Sequence, residues 1–68
     1  MRFSRAELLE IITPHVLRTV VRLQGQRGQV VTEQELSGAG LTEQERQALV
    51  QTKRLLPQSE AGVYHIQL

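Results

Sequence analysis

Apolar residues recur along this chain with helical spacing for most of its length and with strand spacing at its end. Leu8, Leu9, Ile11 and Ile12 fall within an arc of roughly 160°, which predicts an amphipathic helix beginning after Ser4. Pro14 interrupts it. Either Thr13 caps a new helix with Pro14 at its first position, or one long helix kinks there because the Glu10 carbonyl loses its donor; the break is the preferred reading. Val16, Leu17, Val20, Val21 and Leu23 then keep helical spacing, with an expected stop at Gly25. Gly25-Gln26-Arg27-Gly28 reads as a turn, and Gln29-Val30-Val31 as a short strand that needs partners from later in the chain.

A short helix is expected from Thr32 to Ser37, ended by Gly38-Ala39-Gly40. Leu41 is placed inward as a hydrophobic staple before a helix that starts after Thr42 and runs to about Arg54. Leu41, Ala48, Leu49, Thr52, Leu55 and Leu56 share one side of that helix. Pro57 bars further helix, Gln58 to Gly62 is a loop, and residues 63–68 alternate apolar and polar as the last strand of a hairpin.

The helix starts share one chemistry. Ser4-Arg5-Ala6-Glu7, Thr32-Glu33-Gln34-Glu35 and Thr42-Glu43-Gln44-Glu45 each match the capping box, in which a hydroxyl accepts from the N3 amide and the N3 carboxylate reaches back. Acidic residues in each first turn also suit the positive end of the helix dipole.

The predicted architecture is therefore α+β and mostly helical, with strand 29–31 and the C-terminal hairpin forming a small antiparallel sheet. In element order, and in Leu36, the Gly38–Gly40 turn, Leu41 and Leu49, residues 14–68 resemble the winged helix-turn-helix superfamily. Residues 1–13 then form an added helix and a candidate dimerisation element through Leu8, Leu9 and Ile12. The stretch between Leu36 and Leu41 is slightly shorter than the common pattern, which leaves the interhelical angle open.

Composition narrows the function classes. At 68 residues the chain is a single domain, and it has no cysteine, so neither a disulfide framework nor a thiolate zinc site is available. Asp and Asn are absent, which excludes an EF-hand loop. Phe3 and Tyr64 are the only aromatics, too few for base-stacking platforms. Apolar runs are short and residues 1–5 lead into Glu7 and Glu10 without an apolar core, so neither a membrane span nor a signal peptide is expected and the location is read as cytoplasmic.

Catalytic chemistry has little to work with. Ser4, Ser37 and Ser59 lack a nucleophile-elbow context, and His15 and His65 lie far apart without a second ligand nearby, so no enzyme, metal or cofactor is expected. His65, in an alternating strand, reads as a surface residue. Glu33/Glu35 and Glu43/Glu45 are two apart and point to different helix faces, and Glu35 and Glu45 already serve as cap partners. Neither glycine cluster is followed by the Lys-Ser or Lys-Thr of a phosphate loop.

What remains is the outward face of the helix after Thr42. Glu43, Arg46, Gln47, Val50 and Arg54 fall opposite its buried side, with Gln51 and Lys53 on the shoulders. The resemblance implies that this is a recognition helix of a DNA-binding transcriptional regulator, presenting Arg to guanine, Gln to adenine and Val to a thymine methyl. The ordinary reading of the same face is a solvated helix surface, since Gln and Arg are good helix formers. Charge divides the chain. Residues 1–28 set five arginines against two glutamates for a net +3, residues 29–52 set Arg46 against four glutamates for −3, and Lys53, Arg54 and Glu60 leave +1. Phosphate neutralisation dominates DNA affinity, so an acidic recognition segment also admits the alternative of a protein-docking module centred on Val50 or on the first helix.

Overall fold

A computed structural model describes residues 2–68. Four helices, α1 (Arg5–Ile11), α2 (Pro14–Arg27), α3 (Glu33–Gly38) and α4 (Glu43–Gln51), accompany three strands, β1 (Val30–Thr32), β2 (Leu55–Pro57) and β3 (Val63–Ile66). The strands form one antiparallel sheet in the order β1-β3-β2, with Val31 opposite Tyr64 and Leu56 opposite His65. Among the described residues no helix is long and apolar enough to cross a membrane.

The capping chemistry sets the helix starts. Ser4, Thr32 and Thr42 each accept from the N3 amide, and Glu7, Glu35 and Glu45 return the bond to the cap amide. Thr13 caps α2 with Pro14 at its first position, so the chain breaks there rather than kinking.

Two boundaries differ from expectation. Gly25, Gln26 and Arg27 are helical, not a turn, because a glycine inside a helix costs only about 1 kcal/mol. The reversal waits for Gly28, at φ 87° and ψ −167°, a region essentially restricted to glycine. The helix expected over 43–54 ends instead at Gln51. Lys53 turns left-handed at φ 63°, the Lys53 amide donates to the Val50 carbonyl and the Arg54 amide to the Leu49 carbonyl, which together make a Schellman closure. Leu55 and Leu56 therefore lie on strand β2, not on the helix. Pairing with β3 satisfies backbone groups that a further helical turn leading into Pro57 would leave unpaired.

Every element except α1 contributes a buried residue to one core. Val16, Val20 and Leu23 of α2 meet Val31, Leu36, Leu41, Leu49, Leu55 and Ile66, all buried. Phe3 is also buried, α1 lies against α4, and Ile12 packs on the core, so the N-terminal stretch is joined to the rest rather than appended. Leu8 is half-buried and Leu9 is 76% exposed. His65 is half-buried rather than a free surface residue, because β3 is the central strand with a neighbour on each side.

Candidate functional site

Helix α4 contacts both α1 and strand β2 of the β2–β3 hairpin. Its orientation is held at a junction centred on Glu33. The Glu33 amide donates to the Gly62 carbonyl of the hairpin turn at 2.7 Å, and the Glu33 carboxylate pairs with Arg46 of α4. One residue thus ties α3 to both α4 and the hairpin.

Between α4 and the hairpin lies an open groove of about 480 Å³. Arg46, Gln47, Val50, Gln51 and Lys53, five of the six residues singled out from the sequence, line it. Arg54 does not. It lies beyond the helix end, half-buried, its amide bound to the Leu49 carbonyl and its carbonyl to the Gln67 amide. Arg2, Pro57 and Tyr64 complete the lining and were missed. Pro57 and Tyr64 face each other across the hairpin register, a pairing visible once β2 is recognised as a strand. For Arg2 the available signal was its neighbour Phe3, an aromatic residue in a chain that has only one other.

The five are not equivalent. The Arg46 side chain is only 15% exposed, paired with Glu33 and 3.8 Å from the Glu43 carboxylate. Burial disfavours its charge, but the Glu33 hydrogen bond, with smaller contributions from Tyr64, Glu33 and Glu43, holds its pKa above the usual arginine value. Gln47 is exposed and donates to Glu43 at 3.3 Å. Val50 is half-buried and packs on the core.

Gln51 is committed inward. Its Oε1 accepts from the Phe3 amide at 2.7 Å and its Nε2 donates to the Phe3 carbonyl at 2.8 Å. Both polar atoms of the side chain are engaged, so base recognition by Gln51 would have to break a matched pair of bonds. Lys53 is exposed and makes no ion pair among the described residues.

The lining holds no carboxylate, serine or cysteine. It offers cations, amides, a phenol and an apolar strip. A smaller notch of about 210 Å³ on the α3–α4 side has the opposite character, with Glu33 and Glu43 at its edge. Among the described residues no three of His, Cys, Asp and Glu converge as metal ligands. No protein-family model matches the chain, and no match was found among curated proteins or solved structures.

Proposed function

We propose that the protein is a winged-helix module that binds duplex DNA, with α4 as the recognition helix and the β2–β3 hairpin as the wing. The observation that carries this reading is the groove between those two elements, which gathers Arg2, Arg46 and Lys53 without a carboxylate in its lining. A helix in the major groove with a hairpin straddling the adjacent backbone leaves one phosphate strand running between them. Cations at that place neutralise phosphates. In this reading Gln47, exposed on α4, meets an adenine edge and half-buried Val50 a thymine methyl. Gln51 and Arg54 drop out of the base-reading set, the first because Phe3 occupies it and the second because it lies off the groove.

The same geometry implies weak binding by one copy. Glu33 and Glu43 compete with phosphate for Arg46, so the slope of log affinity against log salt is expected to be shallow, about −2 to −4. A dimer formed over α1, where Leu9 is exposed beside half-buried Leu8 and Ile12, would present two such faces and raise affinity. Sedimentation of the intact chain tests that part, and a monomer at high concentration removes it.

Titrating a generic duplex at low and moderate salt tests the main reading. Glu43→Gln is expected to tighten binding by removing one of the two carboxylates beside Arg46, the Glu33 pair remaining, and Gln47→Ala to change preference at one base pair by about 1–3 kcal/mol. If no duplex binds at low salt, the second reading takes over. It is a protein-docking face, favoured by the apolar strip of Val50, Pro57 and Tyr64 and by the internal neutralisation of Arg46.

A further inference from the structure

The groove has two cations without an ion pair, and one of them comes from outside α4 and the hairpin. Arg2 is exposed and lines the groove, yet it precedes α1 and is remote in sequence from everything else there. The next two residues fix its place. Phe3 is buried at 7% exposure, Ser4 is the cap of α1, and the backbone of Phe3 is bound at both its amide and its carbonyl by the side chain of Gln51. A single glutamine thereby gives residue 3 the two-bond pairing that a neighbouring strand would give.

We propose that residues 2–3 form an arm which Gln51 holds across the end of α4, so that Arg2 adds a phosphate contact to the groove. Gln51 is then a positioning residue that acts through Arg2 and does not itself read a base. This inference rests on the DNA reading and adds to it that the binding face extends beyond the helix and hairpin to the N-terminal arm. Two features of the groove support a phosphodiester strand as the occupant. Arg2 carries no ion pair among the described residues, in contrast to Arg46, and the groove it lines has no carboxylate.

The test is the salt dependence of duplex binding by the full chain and four variants. Each phosphate contact contributes about 0.9 to the magnitude of the slope on B-form DNA. Arg2→Ala is expected to make the slope shallower by about that amount. Arg5→Ala removes the same charge from an exposed position outside the groove lining and is expected to leave the slope unchanged. Gln51→Met keeps the side-chain length, loses both bonds to Phe3, and should show the same loss as Arg2→Ala. The Arg2→Ala/Gln51→Met double variant should lose no more than either alone. A purely structural role for Gln51 would lower the melting temperature without changing the slope.

If the parent protein binds DNA but Arg2→Ala and Arg5→Ala have equal slopes, the arm is overturned while the DNA reading stands. If Gln51→Met, folded by circular dichroism, keeps the parent slope, the positioning role is overturned. Should Gln51→Met unfold, the Arg2→Ala and Arg5→Ala pair still decides whether Arg2 touches phosphate. Failure of the parent protein to bind any duplex removes both proposals together.

Discussion

Helices α3 and α4 begin alike and close with the same bonds, and the difference in their left-handed residue separates a structural requirement from a retained cost. Each starts with a threonine cap and a glutamate at N3. Each closes with the same two bonds. Gly40 donates to Ser37 at 3.0 Å and Leu41 to Leu36 at 3.2 Å, while Lys53 donates to Val50 at 3.1 Å and Arg54 to Leu49 at 2.9 Å. The left-handed residue is Gly40 at φ 97° in the first case and Lys53 at φ 63° in the second. For glycine that conformation is free of strain, whereas a residue with a Cβ loses about 1–2 kcal/mol. The lysine that bears this strain is an unpaired cation of the groove proposed to bind DNA.

The largest expected effect probes what the two closures hold in place. Leu36 and Leu49 accept the closing bonds and are both buried, so Leu36→Ala and Leu49→Ala should each cost about 2–5 kcal/mol in urea denaturation. That is comparable to the whole stability of so small a domain. A loss confined to one of the pair would show that the two ends do not bear equal packing.

Next in size is the exchange at the left-handed positions. Lys53→Gly should stabilise by about 1 kcal/mol, and Gly40→Ala should destabilise by a similar amount. A Cβ at Gly40 meets nothing within 4 Å, so its loss would report backbone strain alone. Lys53→Gly should at the same time weaken duplex binding. A variant that gains both stability and affinity would break the link between strain and site.

Smaller again, Thr32→Ala and Thr42→Ala should each cost about 1 kcal/mol by urea midpoint, equally if the two starts are as alike as their geometry. The third capping box, at Ser4 on α1, gives the smallest effect and a pH signature. The Ser4 amide, and then its hydroxyl, hold the Glu7 pKa below its ordinary value of 4.5. A depressed carboxylate pKa means that its contribution is complete above pH 4.5 and disappears as pH falls through the lower folded value. Amide shifts of Arg5–Ile11 should move in that window, and Glu7→Gln should abolish the movement.

The legible parts of the fold are those whose determinants lie within a few residues. Three capping boxes and the Thr13-Pro14 break were visible because donor and acceptor are three positions apart. The end of α4 was not visible, since Leu55 and Leu56 continue the helical spacing and Lys53 carries no turn signature. Helical period groups Arg46, Gln47 and Val50 on the side of α4 that borders the groove, but of these only Gln47 is exposed, since Glu33 draws in Arg46 and Val50 packs on the core. Arg2 was not readable, because Phe3 and the Gln51 that holds it are separated by 48 positions.

By itself, then, the sequence determined where helices begin and which apolar residues form the core, since caps and periodicity are short-range. Tertiary structure decided where α4 stops and which polar groups on it remain available. Antiparallel pairing with β3 draws Leu55–Pro57 into the sheet, Glu33 claims Arg46 from another helix, and Phe3 claims Gln51 from the far end of the chain. In each case a long-range partner satisfies a backbone or side-chain group whose local alternatives were nearly as good, and no short-range pattern records that choice.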